Sequence, residues 1–183
     1  ALARAQNLFA RRLKSAGAPE QAASRLSADP QGKKISEADI IIEAVAERLE
    51  VKQAVFKDVE KNARPEAILA TNTSSIMIED IAAALDNPGR LIGLHFFNPV
   101  PVLPLVEVIF GQQSDSRILA RAMRFSGQLK KMPVKVKSEK GFLVNRALLP
   151  YIYEAISRMA AGQSADKMDQ AMVRFGMPMG PIE

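Results

Sequence analysis

The sequence predicts an α/β protein in which a mostly parallel sheet with flanking helices is followed by the start of an all-α domain. From residue 40 to residue 137, short apolar runs alternate with segments whose apolar residues recur every three or four positions, a pattern typical of strand–helix–strand units. The apolar runs are continuous, as in parallel strands that are buried on both faces. After Gly141 only helical periodicity continues. We therefore predict one domain over residues 1–138 and the start of a second over residues 139–183.

The N-terminal segment predicts an amphipathic helix over residues 1–16, because its apolar residues fall three or four positions apart on one face. Gly17 and Pro19 are expected to end this helix. A natural domain seldom begins inside a helix, so we expect that further sequence precedes this segment in the natural protein.

Five strands and five helices are predicted for the rest of the chain. Mainly aliphatic runs indicate strands at residues 40–45, 67–70, 91–94 and 105–109, and Val134-Lys135-Val136 is expected to form a last short strand. Apolar residues three or four positions apart indicate the helices, which are expected at residues 48–62, 78–85, 117–130, 142–161 and 166–175. Turn sequences such as Asp86-Asn87-Pro88-Gly89 separate these elements.

Composition excludes several classes of protein. The chain has 183 residues, of which 48% are hydrophobic and 25% are charged, as in ordinary globular domains. With no cysteine and one histidine, disulfides, thiolate metal sites and histidine-rich metal cages are excluded, and we predict no metal site. No uncharged run approaches the about 18 residues of a membrane-spanning helix, so we expect a soluble, cytoplasmic protein without a membrane span.

The basic residues do not by themselves indicate nucleic acid, since the net charge of +5 is mild. The densest basic stretch is formed by the lysines between residues 130 and 140. We interpret it as a solvated edge or, alternatively, as an attraction for a polyanionic small molecule. No aromatic residue is interleaved with these lysines, so nucleic acid is the least expected partner.

Polar residues follow or interrupt the apolar run of each of the first four predicted strands. Ligands of open parallel sheets bind at the carboxyl ends of the strands, so these residues are the candidates for a site. They are Glu43, Ala44 and Glu47 after the first strand, Asn72 to Ser75 after the second, His95 and Asn98 after the third, and Glu107 within the fourth.

His95 and Glu107 are the strongest of these candidates. A lone histidine is often structural, and Glu107 in an apolar strand is alternatively an edge residue that points to water. A buried carboxylate needs a partner, and an imidazole is the obvious one. A histidine oriented in this way serves as a general base near neutral pH, either in a hydrolase triad or toward a substrate hydroxyl.

Ser74 and Asn145 each allow two interpretations. Ser74 is either a cap residue in a strand-to-helix turn or a hydroxyl that faces the same cleft as His95. Asn145 lies in a predicted helix, where asparagine is unfavourable. It is therefore either a surface residue or a residue retained for a contact.

Six segments of the chain carry a combined pattern of motifs. They are Ala38–Glu47, Ala70–Ser75, Gly93–Pro101, Pro104–Val108, Gly141–Arg146 and Gly176–Pro181. In their order and spacing they resemble the 3-hydroxyacyl-CoA dehydrogenase family, over about residues 35–183. The form of residues 1–50 resembles the dehydrogenase portion of multifunctional β-oxidation proteins.

The resemblance implies an NAD-dependent, reversible oxidation of (S)-3-hydroxyacyl-CoA to 3-oxoacyl-CoA in fatty acid β-oxidation. It implies that His95 is the catalytic base, that Glu107 is the carboxylate paired with it, and that Ser74 and Asn145 hold the substrate. The positions that match cofactor-binding residues are Ala44, Glu47, Lys52, Asn72 and Asn98, of which Lys52 is also expected near coenzyme A. The implied partners are an acyl-CoA substrate and, for the whole protein, a second copy or a multifunctional complex.

One expected motif is absent. The 183 residues contain no G-x-G-x-x-G fingerprint, whose glycines let a pyrophosphate approach a helix N-terminus. We therefore expect a fragment with a partial Rossmann-like domain that lacks its first β-α-β unit, with weak NAD binding and little activity. The alternatives are a non-enzymatic homologue that retains the fold and a dehydrogenase of a hydroxy acid not linked to CoA.

Overall fold

The computed structural model describes residues 2–182, in two compact units, one ending at Glu37 and one beginning at Ala38. Ala1 and Glu183, which belong to the predicted ranges, lie outside the described residues. The first unit contains helix α1 (Leu2–Arg12) and helix α2 (Ala18–Ser24).

The helix predicted for the N-terminal segment is shorter than expected, and a second helix follows it. Gly17 adopts a left-handed conformation (φ 74°) and precedes α2, while Pro19 lies in the first turn of α2. The prediction that Pro19 ends a helix was wrong. Proline is favoured in a first helical turn because the N–H that it lacks has no partner there.

The second unit alternates strands and helices as predicted. Its strands are β1 (Ile40–Glu43), β2 (Ile68–Thr71), β3 (Leu91–Phe96), β4 (Leu105–Phe110) and β5 (Met132–Lys137). Its helices are α3 (Leu49–Asn62), α4 (Ile78–Ala82), α5 (Ser116–Gln128), α6 (Val144–Ala160) and α7 (Ala165–Phe175). The largest difference from prediction is in α4, which ends at Ala82 rather than Leu85 because a turn leads from there into a short 3-10 helix.

The five strands form one sheet in the order β1-β2-β3-β4-β5. The pairs β1–β2, β2–β3 and β4–β5 are parallel, whereas β3 and β4 are antiparallel. The antiparallel step has a simple cause, because the short loop between Phe96 and Leu105 cannot hold the crossover helix that a parallel neighbour requires. The predicted fold class, a mostly parallel Rossmann-like sheet followed by a helical region, is confirmed.

One hydrophobic cluster lies on one face of the sheet, under α5. Aliphatic residues of β2, β3 and β4 pack there against α5. Because successive side chains of a strand point to opposite faces, the neighbours of these residues face the other side, where Leu69 and Ile109 are also fully buried. This second face carries Thr71 and His95 beside those apolar residues.

The helical region after β5 consists of α6 and α7. Its assignment to a domain that starts at residue 139 stays a prediction. Among residues 2–182, none of the helices combines the length and apolar character needed to cross a membrane.

Candidate active site

His95 and Glu107 form a buried pair on adjacent strands. The antiparallel register of β3 and β4 sets the two residues directly opposite each other. Nδ1 of His95 lies 2.6 Å from Oε2 of Glu107, and the exposed fractions of the two residues are 5% and 0%. The sequence analysis anticipated this partnership, and the structure brings the two side chains together.

The second oxygen of Glu107 holds the start of α6. Oε1 accepts the backbone N–H groups of Leu143 and Val144, each at 2.9 Å. The first N–H groups of a helix have no partner within the helix, so the carboxylate satisfies two donors that the helix leaves unpaired. Glu107 thus joins His95 to a helix of the C-terminal region.

This environment fixes the charge state of Glu107 and the tautomer of His95. Burial by itself acts to raise the pKa of the Glu107 carboxyl, but hydrogen bonds from His95, Val144 and Leu143 outweigh it and lower the pKa. The ionised carboxylate can only accept hydrogen bonds, so we assign the proton of the neutral imidazole to Nδ1. Nε2 is then left as the acceptor that a general base needs.

Two phenylalanines enclose the imidazole. The ring centroid of Phe97 lies 4.5 Å from that of His95, and that of Phe142 lies at 5.8 Å. Phe142 is buried and has a φ of 50°, next to Gly141 with a φ of 79°. These two left-handed residues precede Leu143, whose N–H group is one of the two that Glu107 accepts. The sequence analysis missed Phe142, although it lies in one of the six motif segments.

Ser74 lies in an exposed turn that we call the serine turn (Thr73–Ser75). Oε1 of Glu47 accepts hydrogen bonds from all three residues of this turn. The donors are the hydroxyl of Thr73, the N–H of Ser74 at 2.9 Å, the N–H of Ser75 at 3.3 Å and the hydroxyl of Ser75 at 3.2 Å. The carbonyl oxygen of Ser74 accepts a hydrogen bond from Nδ2 of Asn145 at 3.2 Å. The two predicted substrate residues, Ser74 and Asn145, are therefore in direct contact.

The carboxyl group of Glu47 is strongly acidic. Burial acts to raise its pKa, but hydrogen bonds from Thr73, Lys52 and Ser74 and the positive charge of Lys52 lower it to about 2. Glu47 is thus ionised at neutral pH. It was predicted to bind the cofactor, and the structure shows that its Oε1 also holds the serine turn.

Lys52 lies in a buried ion cluster, which we define as Glu43, Glu47, Lys52 and Thr71. The side chain of Lys52 is 1% exposed, and its Nζ lies 2.8 Å from Oε1 of Glu43 and 3.1 Å from Oε2 of Glu47. Oε2 of Glu43 accepts the hydroxyl of Thr71 at 2.7 Å. Lys52 was predicted to contact the cofactor and coenzyme A, whereas the structure places its ammonium between two carboxylates. The sequence analysis named Glu43 as a candidate without giving it a role.

The remaining predicted cofactor residues lie at the same edge of the sheet. Asn72 follows β2, and its Oδ1 accepts the N–H of Phe96 at the end of β3 at 3.1 Å. Ala44 follows β1 and Asn98 follows β3, and both are exposed. This placement agrees with the rule that ligands of such sheets bind beyond the carboxyl ends of the parallel strands.

Two family models match the chain. The model described as "3-hydroxyacyl-CoA dehydrogenase, NAD binding domain" matches residues 1–139, and the model of the C-terminal domain of the same dehydrogenase matches residues 141–183. The chain belongs to the 3-hydroxyacyl-CoA dehydrogenase family. The resemblance inferred from the six motif segments is thereby confirmed. This dehydrogenase family is NAD-dependent, as the description of the first domain states.

Solved structures of 3-hydroxyacyl-CoA dehydrogenase type resemble the chain over 98% of its length. FadB2 of Mycobacterium tuberculosis is 35% identical with a TM-score of 0.91. The 3-hydroxybutyryl-CoA dehydrogenase of Escherichia coli is 38% identical with a TM-score of 0.89. The (S)-3-hydroxybutyryl-CoA dehydrogenase PaaH1 of Ralstonia eutropha is 35% identical with a TM-score of 0.90. The chain spans 67%, 39% and 64% of these three proteins, respectively.

Proposed function

We propose that this chain carries the acid–base centre of an enzyme that oxidises (S)-3-hydroxyacyl-CoA to 3-oxoacyl-CoA with NAD. The observation that carries the proposal is the buried contact of 2.6 Å between His95 and Glu107. A structural protein has no need for an ionised carboxylate that orients an enclosed imidazole, because such a pair is costly to bury. The names of two similar structures, both 3-hydroxybutyryl-CoA dehydrogenases, support a CoA thioester as the substrate.

In the proposed reaction His95 is the general base. Its Nε2 accepts the proton of the C3 hydroxyl group, and the negative charge of Glu107 stabilises the imidazolium that forms. Glu107 stays ionised, because the N–H groups of Leu143 and Val144 and the imidazole keep its pKa low. In the reverse direction His95 returns the proton to the 3-oxo oxygen. General acid–base catalysis of this kind contributes about 10²- to 10⁴-fold to a rate.

Ser74 and Asn145 are proposed to position the substrate. The Ser74 side chain lies in an exposed turn, which leaves its hydroxyl available to donate a hydrogen bond to the substrate oxygen at C3. The amide of Asn145 bonds to the Ser74 carbonyl at 3.2 Å and so links the substrate-holding turn to α6. Holding the reacting groups in contact supplies a large part of a hydride transfer rate.

The residues at the sheet edge fit the nicotinamide side of NAD. The Glu47 carboxylate, which is 40% exposed, can accept hydrogen bonds from ribose hydroxyls, and the exposed Asn98 amide offers both donors and an acceptor. Ala44 has a small side chain and leaves the edge of β1 open, while Asn72 fixes the edge between β2 and β3. When bound, NAD supplies the acceptor for the hydride from C3. Lys52 acts in this proposal by holding Glu47.

The wider biological setting is part of the same proposal. We propose a role in fatty acid β-oxidation, with the whole protein acting as a homodimer or within a multifunctional complex. The cytoplasmic location stays a prediction. Weak NAD binding by these 183 residues also stays a prediction, since they contain no glycine-rich fingerprint.

The test is the reduction of acetoacetyl-CoA with NADH, followed at the NADH absorbance, by the whole natural protein, rather than by these 183 residues alone, and by its His95→Gln variant. We expect the variant to lose about 10²- to 10⁴-fold in kcat while its circular dichroism and Tm stay close to those of the natural protein. Free acetoacetate serves as the comparison substrate. Equal turnover of acetoacetate would instead support a dehydrogenase of free hydroxy acids, and an inactive natural protein would support a non-enzymatic homologue.

A further inference from the structure

The buried ion cluster connects the sheet to the serine turn. Glu43 is the last residue of β1 and pairs in register with Thr71 of β2. Its carboxylate is held on three sides, by Nζ of Lys52 at 2.8 Å, the hydroxyl of Thr71 at 2.7 Å and the N–H of Val45 at 2.6 Å. The carboxylate of Glu43 is therefore fixed to the sheet by β2 and to α3 by Lys52.

Lys52 transmits this anchoring to Glu47. The side chains of Glu43 and Lys52 are each 1% exposed, whereas that of Glu47 is 40% exposed. Glu47 lies in the loop between β1 and α3, and a partly exposed carboxylate in a loop is free to rotate unless a partner holds it. Lys52 is the partner on the side of the sheet, since its Nζ lies 3.1 Å from Oε2 of Glu47, while Oε1 accepts the hydrogen bonds of the serine turn.

A buried ammonium with two carboxylates depends on both of them. In Glu43→Gln the ammonium of Lys52 keeps Glu47 as its only charged partner, and the side chain of Glu47 is 40% exposed. A buried ion pair requires well-placed partners to offset its desolvation, and the remaining pair has its more favourable surroundings at the solvent side. Without the charge of Glu43, we expect Lys52 and Glu47 to shift together toward solvent. That shift would release the hydrogen bonds that Glu47 makes to the N–H groups of Ser74 and Ser75.

We infer that Glu43 is a positioning residue, which fixes Lys52 and, through Lys52 and Glu47, the turn that presents Ser74 to the substrate. Glu43 itself is buried, with an exposed fraction of 5%, so it acts through Lys52 and Glu47 and not by direct contact. The role of Ser74 in holding the substrate rests on the proposed function, whereas the dependence of the serine turn on Glu43 does not.

The test is amide hydrogen exchange, measured residue by residue by NMR on the natural protein and its Glu43→Gln variant. Hydrogen bonds to a charged acceptor slow exchange, and their loss speeds exchange at the Ser74 and Ser75 amides by about tenfold or more. The amides of Leu143 and Val144, which bond to Glu107, keep their rates. Unchanged exchange at Ser74 and Ser75 would overturn the inference, even if Tm fell.

Glu60→Gln is the matched control. Glu60 lies on the same helix as Lys52, and its carboxylate accepts the N–H groups of Asp86 and Asn87, each at 2.9 Å. This substitution also removes one charge from a carboxylate that holds two backbone amides. It is expected to speed exchange at Asp86 and Asn87 and to leave the serine turn unchanged. Faster exchange at the serine turn in this control would contradict a specific path through Glu43.

Two further variants separate positioning from a purely structural role. In the double variant Glu43→Gln/Lys52→Met no buried charge is left without a partner, so the free energy of unfolding recovers relative to Lys52→Met alone. Exchange at Ser74 and Ser75 stays fast, because Glu47 has lost its anchor. If the free energy of unfolding recovered and exchange at Ser74 and Ser75 also returned to the slow rates of the natural protein, the cluster would have only a structural role and the inference would be overturned.

Glu43→Asp keeps every charge and shortens the side chain by one methylene group, which separates the carboxylate from Lys52 and Thr71, so it provides the same test if Glu43→Gln fails to fold. Its expected effect is a several-fold rise in exchange at the same two amides, and unchanged rates there would contradict the inference. Turnover of acetoacetyl-CoA is measured separately. A protein that is inactive but shows the expected exchange pattern would refute the proposed function and support the coupling.

Discussion

Replacing Glu107 with glutamine tests the geometry of the catalytic pair most severely. The carboxylate accepts three hydrogen bonds, from Nδ1 of His95 and from the N–H groups of Leu143 and Val144. Glutamine has the same shape but only one acceptor oxygen and an NH₂ group that donates. In Glu107→Gln the single oxygen can satisfy either the helix amides or the imidazole, but not both.

The energetically preferred orientation follows from counting these bonds. The two part-buried N–H groups of α6 outweigh the single N–H group of the imidazole, since leaving a buried donor unsatisfied costs about 1–3 kcal/mol. The amide oxygen therefore stays with α6, and the NH₂ group faces Nδ1 of His95. The imidazole must then accept at Nδ1 and carry its proton on Nε2, which removes the base from the substrate side. A wrong tautomer of this kind lowers kcat by about 10⁴-fold in a serine protease triad, and we expect a loss of about 10²- to 10⁴-fold here.

The assay combines turnover with thermal unfolding. The variant loses a charge-assisted hydrogen bond of about 1.5–3 kcal/mol, which corresponds to a fall in Tm of about 3–12 °C for a chain of this size. KM for acetoacetyl-CoA is expected to change little, because Glu107 does not touch the substrate. Glu60→Gln, whose carboxylate also holds two backbone amides, should lose stability at most modestly and keep its kcat. A Glu107→Gln variant with kcat within a few-fold of the natural protein would refute the reasoning.

Three other substitutions have expected outcomes. Glu47→Gln should lower the free energy of unfolding at neutral pH. Because the pKa of the Glu47 carboxyl is lowered from 4.5 to about 2 in the folded state, the stabilisation by the ionised carboxylate is present above pH 4.5 and disappears as the pH falls toward 2. Urea unfolding of both proteins between pH 2 and 7 measures this difference. Gly93→Ala should cost about 1–3 kcal/mol, because the added Cβ would lie 2.9 Å from Cβ of Ile109 on the paired strand; chemical denaturation checks this, and an unchanged midpoint would contradict it. Phe142→Ala should cost about 3–5 kcal/mol and lower kcat by exposing the catalytic pair to water, and full activity in a folded variant would count against the role of this ring.

Periodicity predicted β2, β3 and β4 well because each of them is a short and mostly buried apolar run. The continuous aliphatic stretches around Ile68, Leu91 and Leu105 all became strands. The antiparallel direction of β4 relative to β3 could also have been predicted from the sequence, since the short segment between Phe96 and Leu105 leaves no room for a crossover helix. Pro19 was misplaced because a proline near a glycine can begin a helix as well as end one.

The catalytic pair was predictable because a carboxylate in a buried strand requires a partner, and the chain has a single histidine. The same reasoning applied to Glu43, which follows three isoleucines, would have indicated a buried cation nearby. Lys52 gave no such signal, because a lysine in an amphipathic helix usually lies at the surface. The use of Glu107 to hold α6 depends on the left-handed conformation of Phe142, which local sequence preferences do not favour.

The most direct test of the proposed acid–base centre is the tautomer of His95, measured by ¹⁵N NMR of the imidazole nitrogens. The signals of His95 are those that disappear in His95→Gln, the couplings to the ring C–H protons distinguish Nδ1 from Nε2, and the measurement requires no substrate. At a pH where the ring is neutral, the pairing with Glu107 predicts a proton on Nδ1 and an unprotonated Nε2, and Glu107→Gln should reverse this pattern. A natural protein with the proton on Nε2 would contradict the assignment of His95 as a base oriented by Glu107.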